Sequence, residues 1–149
     1  MLYLARRDPW RFRAPVYGLM WGESLLWAIP VVVFSSVLFQ VDAVPAAVAV
    51  EPAAHASFQA KLVFSIGAGV YEELLFRLMT IAAVHMVLVD LLALPEKAGA
   101  VGAVATSAVA FAGYHFLGGR PFVTGEFVFF AGMGVYLAVV YLWRGFGIV

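Results

Sequence analysis

The sequence predicts an all-α bundle with about four to five membrane helices, and three observations support this fold class. Hydrophobic residues make up 64% of the 149 residues, and the mean hydropathy is +0.98. Charged residues contribute only 12%, whereas soluble domains are about a quarter charged. Apolar stretches long enough to cross a bilayer also recur along the chain. We therefore expect residues 1–149 to form a single membrane domain.

Net charge and cysteine content exclude several classes of function. The formal net charge is zero, so no basic surface indicates a nucleic-acid partner. The chain contains no cysteine, which excludes disulfide bonds, a thiol nucleophile and thiolate metal ligands. The expected surroundings are the lipid bilayer.

The first part of the chain predicts a basic tail followed by a membrane helix. Residues 1–14 carry four arginines and one aspartate, a flank that is typical of the cytoplasmic side. The apolar run 15–39 is long enough to span the membrane and too long for a typical signal peptide. We expect Glu23, in the first third of this run, to reach the interface. Together with a composition that suits a GC-rich bacterium, this predicts a bacterial inner-membrane protein with a cytoplasmic N-terminus.

Three further apolar stretches follow a polar loop at 40–59. The first, 60–94, has about 35 residues, which exceeds one ordinary span. It forms either one long tilted helix or two pieces that separate after Arg77. The next spans are expected at 98–117 and 127–143.

Three charged residues lie inside the apolar stretch 60–94. Each charge costs about 2.5–3.5 kcal/mol at the centre of a membrane helix unless it is paired or faces water. Glu73 and Arg77 are four residues apart, so they share a helix face and can pair directly. Glu72 lies about 100° around the helix from Glu73. The favoured interpretation is a structural Glu73–Arg77 pair and a chemical role for Glu72, and the alternative is that all three form a packing cluster.

A histidine ends the Gly- and Ala-rich span 98–117. Phe111 and His115 are four residues apart and share a helix face with Ala108 and Ala112. A histidine in a membrane helix is either a packing residue or part of a polar site. The sequence alone leaves both alternatives open.

The order and spacing of these residues resemble a known family. Glu72 and Glu73 followed by Arg77 match a Glu-Glu-x-x-x-Arg motif, and Phe111 followed by His115 matches a Phe-x-x-x-His motif. The two motifs are about forty residues apart on successive apolar stretches. The chain thereby resembles the CPBP family of intramembrane proteases, also called the CAAX-protease and bacteriocin-processing family.

The resemblance implies an intramembrane endopeptidase. Glu72 would activate a water molecule, and His115 would orient that water or stabilise the oxyanion. Glu73 and Arg77 would hold the helices in register, with Phe111 as a further supporting residue. The implied substrate is a membrane-anchored protein or peptide that is cut near the membrane surface. The alternatives are a non-catalytic bacteriocin-immunity or partner-binding protein of the same family and a transporter fragment with a proton path.

No cofactor is expected. The family has also been described as metal-dependent, which would make zinc a candidate. One glutamate and one histidine are too few for a zinc site, which normally has three protein ligands. We therefore expect metal-free catalysis by glutamate.

The resemblance covers roughly 64–149 and has one departure. The family normally has a last helix with His-x-x-x-Asn or His-x-x-x-Asp, but no histidine follows His115. The apolar ending 145–149 looks like the start of another helix. We therefore expect a family-like core at 60–149 that lacks its last helix, which puts the activity of this chain in doubt.

Glu72 and His115 are expected to meet. Each has no obvious partner on its own helix, and a shared polar cavity would lower the cost of placing both in hydrocarbon. We predict that the two side chains face each other across a cavity that holds a water molecule, with Phe76 and Phe111 nearby.

Overall fold

The computed structural model describes residues 14–38, 57–117 and 121–149, and these residues form helices with no strand among them. The predicted basic tail and most of the predicted loop at 40–59 lie outside the described residues. Along the chain, the helical segments make up four continuous helical rods: residues 14–38, 58–91, 96–114 and 124–144. Their segments are α1 (Ala14–Leu38), α2 (Phe58–Glu72), a first π-helical segment (Glu73–Thr80), α3 (Ile81–His85), a second π-helical segment (Met86–Leu91), α4 (Glu96–Tyr114) and α5 (Thr124–Arg144).

The predicted all-α membrane fold is confirmed. In the described part of the chain, three helices are long and apolar enough to cross a membrane: Ala14–Ser36, Phe58–Leu91 and Thr124–Arg144. The fourth rod, α4, is not among them, because Glu96, Lys97 and its glycines lower its hydropathy. Four rods agree with the predicted count of four to five helices.

Residues 58–91 form one continuous helix, here called the long helix. Of the two alternatives for the predicted stretch 60–94, the single helix is therefore correct, and no break follows Arg77. Its 34 residues extend over about 50 Å at an α-helical rise, against about 30 Å of hydrocarbon. The long helix must therefore tilt or extend beyond the hydrocarbon region. Its two π-helical segments were not predicted from the sequence.

The helix α4 lies at the centre of the fold, between the long helix and α5. Its buried residues recur at about every fourth position, so they occupy one face. Ala103 belongs to that face and joins Ile81 of α3 and Ala138 of α5 in a small apolar core. The buried residues of α4 are Gly99, Ala103, Ser107, Ala108, Phe111 and Ala112.

A close contact between Gly134 and Ala108 sets how α5 lies on α4. A Cβ atom built on Gly134 would lie only 2.8 Å from the Cα of Ala108. Glycine is therefore required at this crossing, because any larger residue would push the two backbones apart. The two helices form an antiparallel hairpin whose register is fixed at this point.

The first helix is held to α5 by polar and aromatic contacts. The guanidinium of Arg144 donates to both carboxylate oxygens of Glu23, and its Nη2–Oε2 distance is 2.6 Å. Trp27 donates to the same carboxylate at 3.3 Å, and the hydroxyl of Tyr136 donates to the carbonyl of Trp27 at 2.8 Å. Glu23 therefore binds another helix, a contact that the sequence did not indicate, and its expected position at the interface stays a prediction. We call this group of four residues the α1–α5 clamp.

Candidate functional site

The predicted ion pair between Glu73 and Arg77 is confirmed. The Nε atom of Arg77 lies 3.4 Å from Oε2 of Glu73. The Arg77 side chain is fully buried, and that of Glu73 is 14% exposed. Such a guanidinium depends on its carboxylate, since an unpaired buried charge is strongly destabilising.

Aromatic contacts bring the two motif-bearing helices together. The guanidinium carbon of Arg77 lies 4.3 Å from the centre of the Phe111 ring, a cation–π distance. Phe76 meets the same ring edge to face, with centroids 5.5 Å apart. Phe76 and Phe111 are both buried. The Glu-Glu-x-x-x-Arg and Phe-x-x-x-His segments are therefore packed directly on each other.

Two hydroxyl groups bind backbone carbonyls of the first π-helical segment, which begins immediately after Glu72. The Oγ of Ser107 donates to the carbonyl of Phe76 at 2.6 Å, and the Oγ1 of Thr80 donates to the carbonyl of Leu75 at 2.8 Å. π-Helical turns are frequent at functional sites. The sequence motifs do not include Ser107, although a hydroxyl on the buried, Ala-rich face of α4 is a signal that could have identified it.

His115 lies at the end of α4 and has a partner on its own helix, contrary to expectation. Its Nδ1 lies 2.8 Å from the carbonyl oxygen of Phe111. A carbonyl oxygen only accepts hydrogen bonds, so Nδ1 carries the proton in this contact. In the neutral ring Nε2 is then the acceptor. The geometry of the helix end explains the partner, because the last carbonyls of a helix lack intrahelical donors.

The His115 ring is also held between two phenylalanine rings. Phe130 of α5 stacks on it with a centroid distance of 4.0 Å and an interplanar angle of 19°. Phe111 meets it edge to face at 4.7 Å. Phe130 was not predicted from the sequence, because nothing in the Phe-rich run of α5 distinguishes the ring that would meet α4.

Arg77 and His115, from two different helices, both contact the Phe111 ring. Glu72 is half-buried and lies five residues before Arg77 on the same helix. The structure therefore packs the segment that carries Glu72 on the helix that ends at His115. The catalytic roles of Glu72 and His115, and the water-filled cavity between them, stay predictions.

A cavity lies elsewhere, between α1 and α5. Its volume is about 420 Å³, and its walls are almost entirely apolar. It is open toward the surroundings of the helices and contains neither Glu72 nor His115. Its lining residues are Phe34, Thr124, Gly125, Val128, Phe129, Gly132 and Met133.

The candidate metal ligands that converge among the described residues are too few for a protein-ligated zinc site. No group of three or more His, Cys, Asp or Glu side chains converges within residues 14–38, 57–117 and 121–149. Zinc sites in enzymes normally take three protein ligands and a water molecule. Glu72 and His115 supply only two candidate ligands, one fewer than such a site takes.

Comparison with known proteins gives one match. Residues 54–148 match the family described as type II CAAX prenyl endopeptidase Rce1-like. This range includes both motifs and all helices except α1. No curated protein and no solved structure matches the chain significantly.

Proposed function

Because the chain belongs to the family of Rce1-like type II CAAX prenyl endopeptidases, we propose that it hydrolyses peptide bonds with a water molecule activated by Glu72. The substrate is a membrane-anchored protein or peptide, cut near the membrane surface. Lipid bilayer surrounds the helices, and no nucleic acid is involved.

The packing of the segment that carries Glu72 on the helix that ends at His115 carries this proposal. A carboxylate and an imidazole are each costly in hydrocarbon, and packing alone does not require them together. His115 and Arg77 both contact the Phe111 ring, while Glu73 supplies the carboxylate that pairs with Arg77. Glu72 is therefore available to activate the water molecule.

The tautomer of His115 favours one of its two proposed roles. With the proton on Nδ1 directed at the Phe111 carbonyl, the neutral ring has no proton on Nε2 to give to an oxyanion. Nε2 instead accepts a hydrogen bond from water. A water molecule that donates one hydrogen to Glu72 and one to His115 directs its oxygen lone pairs at the substrate carbonyl.

The reaction then proceeds by general base and general acid catalysis. Glu72 takes a proton from the water as its oxygen bonds to the carbonyl carbon. The protonated Glu72 gives that proton to the amide nitrogen as the C–N bond breaks. The products are a carboxylic acid and an amine, and Glu72 returns to its carboxylate form.

Orientation in the membrane follows from the basic tail. Its four arginines place the N-terminus in the cytoplasm, in the inner membrane of a bacterium. The α1–α5 clamp supports an even number of crossings, because it joins the first third of α1 to the last residue of α5. With the three apolar spans, this means four crossings in which α4 also crosses.

The proposal is tested with purified protein in liposomes and fluorogenic peptides ending in Cys-aliphatic-aliphatic-X, with and without a farnesyl group. We expect cleavage by the wild-type chain and loss of cleavage in Glu72→Gln and His115→Gln. The matched control is Glu96→Gln, because Glu96 is exposed in the first turn of α4. Thermal unfolding in detergent checks that the variants remain folded.

Other outcomes identify the competing functions. Absence of cleavage of both peptides by the wild-type chain contradicts the proposal. Protection of cells against a bacteriocin that survives Glu72→Gln indicates an immunity protein. Proton-coupled flux in liposomes that disappears in Glu72→Gln indicates a transporter.

A further inference from the structure

The stack of Phe130 on His115 is closer and flatter than the other ring contacts among the described residues. Their centroids are 4.0 Å apart and their planes differ by 19°. Aromatic pairs otherwise favour edge-to-face or offset arrangements, as in the contact of Phe76 with Phe111. Phe130 therefore covers one face of the imidazole of His115.

The backbone contact between α4 and α5 sets the position of Phe130. Gly134 follows Phe130 by one helical turn, so both residues lie on the face of α5 that meets α4. Gly134 lies against Ala108, two turns before His115. Because the helices are antiparallel, this register brings the Phe130 ring to the level of His115. Moving α5 along α4 would separate the two rings.

Two contacts together restrict the imidazole of His115. The hydrogen bond from Nδ1 to the Phe111 carbonyl sets one edge of the ring, but a single hydrogen bond allows the ring to tilt and to rotate away. The Phe130 stack restrains the plane of the ring, and Phe111 contacts it from another side. The direction of Nε2 then follows from both restraints.

We propose that Phe130 is a positioning residue that holds the His115 ring where Nδ1 donates to the Phe111 carbonyl and Nε2 is directed at the reacting water. This rests on the proposed function for the part that concerns the reaction. The restraint on the ring is a property of the folded chain and does not depend on activity.

Ordinary packing is the alternative role for Phe130. The ring also touches Phe116 and Phe129, which belong to a larger aromatic group at this end of the bundle. A packing residue would affect stability when it is replaced, but not the tautomer of His115. Phe122 provides a matched control, because its ring contacts are with Phe116 and Phe127.

The kinetic test compares Phe130→Leu, Phe130→Tyr and Phe122→Leu. We expect Phe130→Leu to lower kcat by about 10- to 100-fold with little change in KM, because a misplaced catalytic group slows the chemical step. Phe130→Tyr keeps the ring and should retain kcat within about threefold of the wild type. Phe122→Leu should leave kcat and KM unchanged. The proposal would be overturned if Phe130→Leu and Phe122→Leu lowered kcat equally and Phe130→Tyr did not restore it.

A spectroscopic test needs no substrate. ¹⁵N-histidine NMR in detergent micelles reports the tautomer of each ring, and His115→Gln assigns the His115 signals. We expect one Nδ1-protonated form in the wild type and in Phe130→Tyr, and averaged signals from both tautomers in Phe130→Leu. An unchanged His115 spectrum in Phe130→Leu would refute the restraint. If the spectrum changes as expected while the wild-type chain cleaves no peptide, the proposed function fails and the restraint stands.

Discussion

The hydroxyl of Ser107 donates a hydrogen bond of 2.6 Å to the backbone carbonyl of Phe76, and 31 residues separate the two along the chain. Ser107 is fully buried, and Phe76 is 5% exposed. The bond joins the π-helical segment after Glu72 to the helix that carries His115. It therefore links the two halves of the candidate site without involving either proposed catalytic group.

Replacement of Ser107 should destabilise the fold. Ser107→Ala leaves the Phe76 carbonyl without its hydroxyl partner inside the bundle, which costs about 1–3 kcal/mol. Thermal unfolding in detergent measures the loss. The neighbouring Thr106 is exposed, so Thr106→Ala should unfold near the wild-type temperature. If Ser107→Ala were as stable as the wild type, the hydrogen bond would contribute nothing to the stability of the fold.

The ion pair of Glu73 and Arg77 should behave as a buried pair. Removing one partner leaves an uncompensated charge, so Arg77→Met and Glu73→Gln should each destabilise the protein by about 3–5 kcal/mol. The double variant should be more stable than the sum of the two losses predicts, because neither charge is left alone. Lys97→Met, at an exposed position, is the control. Additive losses in the double variant would mean that the two groups do not interact.

The contact at Gly134 should not tolerate a methyl group. In Gly134→Ala the new Cβ meets the Cα of Ala108, so α4 and α5 must separate, at a cost of about 1–3 kcal/mol. Gly132 lies in the same helix with open space around it. Gly132→Ala should therefore be neutral or stabilising by up to about 1 kcal/mol, because alanine favours the helix. The prediction is tested by comparing the melting temperatures of Gly134→Ala and Gly132→Ala with that of the wild type.

The α1–α5 clamp predicts the topology of the chain. Glu23 lies early in α1 and Arg144 ends α5, and their ion pair requires both to lie near the same membrane surface. With a cytoplasmic N-terminus, a reporter fused after Arg144 should be cytoplasmic, and one fused after Arg120 should lie on the opposite side. A cytoplasmic signal at Arg120 would contradict four crossings. Glu23→Arg combined with Arg144→Glu should restore any stability that either single change removes.

Local patterns in the sequence determined the class of the protein and much of its secondary structure. Apolar runs predicted the first helix at 15–39, observed as Ala14–Leu38, and the last at 127–143, observed as Thr124–Arg144. Helical spacing predicted the Glu73–Arg77 pair. These predictions succeed because they depend on neighbours within a few turns of one helix, whose geometry is known in advance.

Only the tertiary structure decided which residues meet between helices. Periodicity identifies the buried face of α4, but it does not say how far α5 slides along that face. The Gly134 contact with Ala108 makes that choice, and it brings Phe130 rather than another phenylalanine onto His115. The partner of Glu23 is Arg144, 121 residues away along the chain. Helical periodicity cannot identify a partner at that separation. Close packing in three dimensions selects these pairs because small residues allow two backbones to approach at only a few positions.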